Sequence, residues 1–340
     1  MAASKRKTAT PKAGRSDAVT VDLTAVIVAV TSGEPRVLTV GGAQQGLPEG
    51  LPSGPLVRGH RTLEQGLRAW VEAQTGQTLG YVEQLYTFGD LDRQSGGTRQ
   101  ADRVLSLGYL ALVREPRSQP GDPASWRDWY RYFPWEDWRR GRPAVLDSLK
   151  TPLTAWANAA PALAERNLRH ERLALAFGLG AGRWSEDRVL ERYELAYETG
   201  LVEEPHRDGA ATAVEAPLSG TGVAMQADHR RILATAIARL RGKIKYRPVV
   251  FELMPPVFTL LQLQQTVEAL AGMRLHKPNF RRLVEQQGLV EETGAVTLDT
   301  GGRPARLVRF RREAVLERPA PGLRVRARGS PRGRGSRGRT

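Results

Sequence analysis

One short segment near the C-terminus combines basic and amide side chains in a pattern that suits contact with nucleic acid. Residues 276–282 have the sequence His-Lys-Pro-Asn-Phe-Arg-Arg. In a helix that starts there, Phe280, Leu283 and Val284 share one face and should pack inward. The side chains left outward are Lys277, Asn279, Arg281 and Arg282. Asparagine can pair with adenine and arginine with guanine, while basic side chains hold phosphates.

A second basic segment, Arg306 to Arg311, alternates between arginine and apolar residues. That spacing puts Arg309 and Arg311 on one face of a strand and Phe310 on the other, next to a core. The arginines of this region are Arg303, Arg306, Arg309 and Arg311. With Gly301-Gly302 as its turn, the segment predicts a hairpin whose arginines contact phosphates.

Two helices are predicted before the basic one. The first spans 228–242, and its apolar face consists of Ile232, Leu233, Ala236, Ile237 and Leu240. The second spans 260–270 behind the N-cap Thr259, and its inward residues are expected to be Leu261, Val267 and Leu270. A short extended segment, 246–251, is predicted between them.

The order of these elements indicates the function of the basic helix. This helix is predicted to begin near Pro278, a residue favoured in a first turn, and to end at Gly288. Three helices followed by a hairpin have the order of a winged helix-turn-helix, whose third helix enters the major groove of DNA. An isolated basic helix is more often a solvated surface, but this order favours DNA binding. A winged helix that only binds protein would not need the net charge of +8 that residues 226–321 carry.

Charge is distributed unevenly along the 340 residues. Of the net charge of +15, residues 1–16 contribute +5 and residues 322–340 contribute +7, while residues 17–225 are net acidic at −5. Both tails are predicted to be disordered, and the Arg/Gly tail attracts phosphate without sequence preference. A nonspecific nucleic-acid binder that acts through its tails therefore stays an alternative.

The N-terminal part predicts a mixed sheet and helix structure. Residues 19–30 and 36–40 should form a hairpin, and a Gly/Pro-rich loop follows over 41–61. A helix is predicted from the N-cap Thr62 to Gly76, followed by strands over 81–88 and 104–113. Farther on, residues 147–205 are expected to be helical and residues 205–222 to form a linker.

The segment from Thr62 to Gly76 resembles the helix of a Nudix domain. In that helix, glutamates on one face hold divalent cations against a diphosphate. Counted from Gly76, the glutamate positions fall on Trp70, Ala73 and Gln74, and the arginine position falls on Ala69. Glu64 and Glu72 remain, but they lie too far apart along the helix to build the metal site. The resemblance implies a Nudix-like domain that is not an enzyme and binds no metal; a hydrolase of nucleoside diphosphate derivatives with an accessory winged helix is the alternative.

Longer matches make the resemblance more specific. Residues 83–90, Glu-Gln-Leu-Tyr-Thr-Phe-Gly-Asp, are similar to the strand after the Nudix helix in ADP-ribose-type members. Residues 275–282, 288–294 and 301–305 resemble the winged helix of Nudix-related transcriptional regulators of the NrtR family. The insert 129–138, Trp-Tyr-Arg-Tyr-Phe-Pro-Trp-Glu-Asp-Trp, is similar to the NadQ branch, whose members regulate NAD metabolism.

This resemblance implies a homodimer that binds a double-stranded operator of two half-sites and represses NAD biosynthesis genes. It also implies control by an adenine nucleotide effector (ATP, NAD or ADP-ribose), with no required cofactor. Effector contacts are expected at Arg58, Gln84, Tyr86 and Phe88, where packing in the core or at the surface is an equal alternative. The Trp-rich insert is expected to hold domains or subunits together rather than stack on bases, because its acidic residues oppose phosphate.

These inferences combine into an α+β chain: an N-terminal Nudix-like α/β/α sandwich and a C-terminal winged helix-turn-helix. The predicted parts are a basic tail (1–18), the effector domain with its insert (19–146), a helical connector and linker (147–222), the winged helix domain (223–321) and the Arg/Gly tail (322–340). The chain has no cysteine, which excludes disulfides and thiolate metal sites. Its longest apolar run, 25–30, is too short to span a bilayer. A cytoplasmic protein that associates with the nucleoid when bound to DNA is expected.

Overall fold

The computed structural model describes residues 19–42, 48–90, 93, 103–116, 123–180, 182–298, 304–314 and 322–323. The predicted disordered tail 1–18 lies outside these residues, as does most of the tail 322–340. Leu323 is an exception to the predicted disorder, because it is fully buried and its N–H donates to the carbonyl of Ile244 at 2.8 Å.

The N-terminal part begins with the predicted hairpin. Strand β1 (Val19–Thr31) pairs antiparallel with β2 (Glu34–Gly41). Ser32 and Gly33 form the turn, both with positive φ, at 53° and 75°. Such turns suit the twist of two paired strands, and glycine adopts them without steric cost.

The hairpin belongs to a seven-stranded sheet. The other strands are β3 (Glu49–Gly50), β4 (Ser53–Pro55), β5 (Tyr81–Phe88), β6 (Arg103–Leu112) and β7 (Ala124–Asp128). The main path has the order β3-β2-β1-β6-β5, with β1 and β6 parallel, while β4 pairs with β1 and β7 pairs with β2. Strand β5 begins and ends at the predicted residues, 81 and 88. The loop predicted over 41–61 is wrong in part, because β1 and β2 offer free backbone edges with which β3 and β4 pair.

One face of the sheet is covered by helix α1 (Leu63–Thr75). As predicted, Thr62 caps it by accepting a hydrogen bond from the N–H of Gln65 at 3.1 Å, and Gly76 ends it at φ 67°. Its buried Leu67 and Val71 pack with the odd-numbered residues of β1: Leu23, Ala25, Ile27 and Ala29.

The other face is covered by α6 (His229–Ile244) and α7 (Leu260–Ala271). Both belong to the predicted winged helix domain, so this domain completes the sandwich. Between α1 and α6, the described residues contain four further α-helices: α2 (Val145–Asn158), α3 (Leu163–Phe177), α4 (Val189–Thr199) and α5 (Glu204–Arg207). The segment predicted as a linker includes most of α5 and irregular backbone that packs on the body, where Thr221 is buried.

The C-terminal part has the predicted winged helix order. Helix α7 begins at Thr259 with a capping box to Gln262, and α8 (Lys277–Gln287) ends at Gly288. Strands β8 (Phe258–Thr259), β9 (Val290–Thr297) and β10 (Ala305–Phe310) form a sheet in the order β8-β10-β9.

Two expectations about this part are wrong. The segment predicted as extended, 246–251, contains the start of a 3-10 helix, Val249–Leu253, which follows Pro248. Leu261 does not point inward but is 39% exposed, because the buried stripe of α7 is Leu263, Val267 and Leu270. Phe310 packs as predicted, with its ring stacked on Phe251 at a centroid distance of 4.1 Å.

Candidate functional site

Helix α8 presents its basic residues to solvent. Phe280 and Val284 are 3% and 0% exposed and anchor the helix to the core, while Leu283 is half-buried. The side chains on the other sides of the helix are exposed: Lys277, Asn279, Arg281 and Arg282. The residues that the sequence singled out for nucleic-acid contact are therefore accessible together.

The exposed residues of α8 lie on two different sides. Lys277 and Arg281, one turn apart, line a groove of about 740 Å³ that runs between α8, the start of α7 and the hairpin β9–β10. Asn279 and Arg282 are rotated away from these two by roughly 100–160°, since successive helical residues are ~100° apart. The helix thus has a groove side with two cations and an outward side with an amide and a guanidinium.

The hairpin carries arginines that are paired with glutamates. Arg306 contacts Glu292 at 2.6 Å, and Arg309 contacts Glu291 at 2.5 Å, with all four side chains more than 40% exposed. Arg303, also predicted to contact phosphate, lies outside the described residues. Sequence reasoning missed these glutamates, although opposite charges on two strands that follow each other in the sequence were a usable signal.

The charge of the groove is therefore mixed. Its cations are Lys277, Arg281 and Arg306, and its acidic residues are Glu285 and Glu292. Exposed ion pairs contribute only ~0–1 kcal/mol, so a phosphate can replace Glu292 as the partner of Arg306 at small cost. The geometry suits a polyanion that enters the groove, and a base edge against the outward side of α8.

The turn before α8 is held by the Trp-rich insert. Tyr130 donates its hydroxyl hydrogen to the carbonyl of Ala269 at 2.7 Å, and the N–H of Trp138 donates to the carbonyl of Gly272 at 2.7 Å. Arg241 of α6 donates to the carbonyl of Leu270 at 2.9 Å. These bonds satisfy carbonyls that the end of a helix leaves without partners. We call this group of contacts the α7 clamp.

A buried carboxylate lies behind the α7 clamp. Glu136 contacts Arg192 at 2.5 Å and Arg241 at 2.6 Å, and all three side chains are at most 2% exposed. Trp129 and Trp135 of the insert are also fully buried. The insert therefore packs between the sheet, α4 and the winged helix, as the sequence predicted, and these two rings are not available for stacking on bases.

Two of the positions that the sequence singled out on helix α1, Trp70 and Gln74, are directed back into the protein, while Ala69 and Ala73 are exposed. The amide of Gln74 donates to the carbonyl of Ser53 at 2.7 Å and accepts from its N–H at 3.0 Å, and the indole of Trp70 donates to the carbonyl of Pro55 at 2.9 Å. Glu64 pairs with Arg68 at 2.7 Å. Within the described residues no cluster of three or more His, Asp or Glu side chains could hold a metal ion. The residues present do not fit the divalent cation of a Nudix enzyme.

The four predicted effector contacts do not form one pocket. Arg58, Gln84 and Tyr86 are exposed, but Phe88 is 2% exposed and packs under the ring of Tyr86 at a centroid distance of 5.4 Å. Phe88 belongs to the core on the α6 side of the sheet, whereas Arg58 lies in the loop before α1 on the other side. The predicted contact of Phe88 with an effector does not agree with this burial, which gives its ring a packing role.

The fold and the site define a winged helix protein joined to an α/β/α sandwich, and comparison with known proteins makes this more specific. A family model described as the NrtR DNA-binding winged helix domain matches residues 250–310. The ADPR responsive transcriptional repressor NtrR of Acinetobacter baylyi is 45% identical over 83 residues, which are 24% of this chain and 33% of that protein. The chain thus matches only about one third of the length of this relative.

A solved structure extends the likeness to the whole fold. NrtR of Shewanella oneidensis, crystallised with a 27mer DNA, superposes with a TM-score of 0.51 at 20% identity, covering 90% of this chain and 98% of that one. A MutT/Nudix family protein from Enterococcus faecalis gives a TM-score of 0.47 at 14% identity, with coverages of 89% and 90%. Residues 250–310 are thus similar to the NrtR winged helix domain, and the chain has the fold of NrtR, as the sequence predicted.

No helix among the described residues is both long enough and apolar enough to span a membrane.

Proposed function

We propose that this protein is a DNA-binding transcriptional repressor whose Nudix-like domain senses an adenine nucleotide. The observation that carries the proposal is the exposed basic side of α8, inside the segment that matches the NrtR DNA-binding winged helix domain. The protein would act in the cytoplasm, on the chromosome. Because one winged helix covers only one half-site, the proposed form is a homodimer on an operator of two half-sites.

Each predicted side chain has a proposed role that follows from its position. Asn279 and Arg282, on the outward side of α8, contact base edges in the major groove. Lys277, Arg281 and Arg306 line the groove beside the hairpin and contact phosphates. Arg303 is proposed as a further phosphate contact from its place in the sequence.

The proposed effector is ADP-ribose, with ATP and NAD as alternatives. Support comes from the A. baylyi repressor, which is described as ADPR responsive, and from the Nudix-like sandwich. Genes of NAD biosynthesis are the proposed targets, because these nucleotides report on the supply of NAD. The α7 clamp supports a route from sensor to DNA, since the insert and α6 contact both the sheet and the turn before α8.

We infer that the sandwich binds its nucleotide without hydrolysing it. Counted from Gly76 in the sequence, Trp70 and Gln74 fall on glutamate positions of the Nudix pattern, and both are hydrogen-bonded to β4. The alternative is a hydrolase of nucleoside diphosphate derivatives. Incubation with ADP-ribose and Mg²⁺ distinguishes the two: we expect no release of AMP above a no-protein control, and turnover would support the hydrolase.

The central test is a selection of bound genomic DNA by the full chain, with and without ADP-ribose, ATP and NAD. We expect one recurrent operator, and a change in its occupancy with one nucleotide. The variant Arg282→Ala should weaken operator binding by ~1–3 kcal/mol while random DNA binding changes little. Arg239→Ala, an exposed arginine of α6, is the matched control.

Two outcomes would count against these roles. An equal loss on operator and random DNA would assign Arg282 to phosphate contact. A chain without residues 1–16 and 324–340 should keep its operator and lose only general affinity; loss of all binding would support the tails as the DNA-binding parts.

A further inference from the structure

A cavity of about 180 Å³ lies among α2, the end of α3 and the Trp-rich insert. Its inner wall is formed by Leu149, Leu153 and Phe177, which are 1%, 0% and 6% exposed. The cavity is separate from α1 and from α8, so neither the sensor site nor the DNA interface accounts for it.

Two tryptophan rings form another wall. Trp138 and Trp184 lie with their ring centroids 4.7 Å apart and a tilt of 44°. The guanidinium of Arg192 covers the Trp184 ring at 3.8 Å. The chain before Trp184 turns so tightly that a Cβ on Gly178 would come within 2.8 Å of the Trp184 nitrogen. The rings are therefore held in place by the fold.

Charge at the cavity has one sign. Among the described residues that line it, Arg142 and Lys150 are cationic and none is acidic. Both are exposed, whereas the leucines behind them are buried, so the cations stand at the mouth. Arg142 pairs with Asp147 at 2.7 Å on the outer side, and this exposed pair is easily exchanged.

The size of the cavity limits what can enter. An enclosed apolar cavity of ~150 Å³ holds one benzene ring. This cavity has a similar volume but is open on one side, so it has room for a single ring with one small polar substituent at the opening. A nucleotide is too large. Aromatic rings prefer contact with other rings, and a carboxylate attached to the ring would meet Lys150 or Arg142 in a charge-assisted contact.

We propose that this cavity is a binding site for a small planar organic anion, namely a single-ring aromatic carboxylate. The ring lies among Leu149, Leu153 and the two tryptophans, and the carboxylate points to the mouth. The site is independent of the nucleotide proposed for the sandwich, because it shares none of the residues expected to contact that effector.

The test uses the full chain and benzoate as the probe, measured by calorimetry and by saturation-transfer NMR. We expect benzoate to bind, while acetate (no ring), benzylamine (opposite charge) and anthracene-9-carboxylate (too large) do not. Equal binding of benzoate and anthracene-9-carboxylate, or no benzoate binding at millimolar concentration, would overturn the proposal.

Charge reversal at the mouth gives a second readout. Lys150→Glu changes an exposed residue that has no role in the core, so the fold should be retained. We expect benzoate affinity to fall at least about threefold and benzylamine to begin to bind. Arg239→Gln is the control and should leave both affinities unchanged. Unaltered benzoate affinity in Lys150→Glu would refute the assigned orientation and with it the site.

Discussion

The hairpin beside α8 holds its arginines in exposed pairs with glutamates. Arg306 and Glu292 remain 75% and 61% exposed although they are in contact. Such a pair adds little to stability, but it places a carboxylate where a phosphate would approach. We therefore expect Glu292 to lower the affinity of the groove for any polyanion, so that the proposed specific binding of DNA depends more on contacts to bases.

The substitution Glu292→Gln tests this role. It removes one negative charge from the groove and releases Arg306 for phosphate contact. We expect affinity for random duplex DNA to rise about two- to fivefold at low salt, and the dependence of log Kd on log salt to become steeper by up to about one phosphate equivalent. Fluorescence anisotropy over a salt series measures both. Glu171→Gln, an exposed glutamate of α3, is the control; identical slopes for all three proteins would contradict this role.

His229 is a second residue with a testable consequence. Its ring is buried, and its Nδ1 accepts a hydrogen bond from the N–H of Leu51 at 2.9 Å. Burial, with a smaller contribution from the positive charge of Arg207, lowers the pKa of His229 to about 4. Between about pH 6.5 and 4 the unfolded chain therefore binds a proton that the folded chain does not, and the free energy of unfolding falls as the pH falls.

The variant His229→Gln isolates this effect. Glutamine can keep the acceptor for Leu51 but does not titrate, so up to about 3 kcal/mol of pH dependence should disappear between pH 6.5 and 4. The neighbouring Asp228, whose pKa burial raises to about 7, has the opposite slope in both proteins and cancels in the difference. Urea unfolding at several pH values measures the two curves. If they run parallel, the buried neutral histidine does not determine this slope.

At the scale of elements, the α7 clamp holds the turn that leads into α8. The last turn of α7 ends at Gly272, whose φ is 71°. A Cβ at this position would come within 2.4 Å of the carbonyl oxygen of Glu136 and 2.9 Å of the hydroxyl of Tyr130. Glycine is therefore required twice there, by the backbone conformation and by the close approach of the insert.

A pair of glycine substitutions separates these two requirements. Gly76 ends α1 at φ 67°, and nothing lies within 4 Å of a Cβ there. Gly76→Ala should cost only the strain of the left-handed conformation, about 1 kcal/mol, whereas Gly272→Ala should cost at least 2 kcal/mol more and weaken operator binding. Chemical denaturation and anisotropy measure both effects. Equal costs would show that the insert does not press on this turn.

Elements with their own start and stop residues could be predicted from the sequence. Thr62 and Gly76, or Thr259 and Gly272, mark helices by local rules, and the alternation in β10 placed Phe310 on the core side. The short strands β3 and β4 could not be predicted, because their backbone partners are distant in sequence. Nor could the burial of Phe88, since a β-bulge between Gln84 and Thr87 changes which side chains face α6.

At the scale of the whole molecule, the hydrophobic core extends across the predicted boundary between domains. One hydrophobic cluster runs from Val26 and Leu110 of the sheet through Tyr193 of α4 to Phe280 and Val308 of the winged helix. Helix α6 lies at its centre, with Ile232, Leu233 and Leu240 completely buried between the sheet and α7. The sandwich and the winged helix share this helix, so we expect a structural change in one to reach the other by packing.

This shared core predicts that the chain unfolds as one unit. All seven tryptophans belong to the N-terminal part and the connector, between Trp70 and Trp184. Their fluorescence therefore follows mainly the unfolding of these parts, whereas far-UV circular dichroism also follows the winged helix. Helix α6 loses its packing partner when the sheet unfolds, so the winged helix should unfold with it. We therefore expect the two urea transitions to coincide.

A fragment of residues 223–323 should unfold without a cooperative transition, since it exposes the apolar face of α6. A second dichroism transition without a fluorescence change would mean that the winged helix is stable alone, and that the α7 clamp rather than the core couples it to the sandwich.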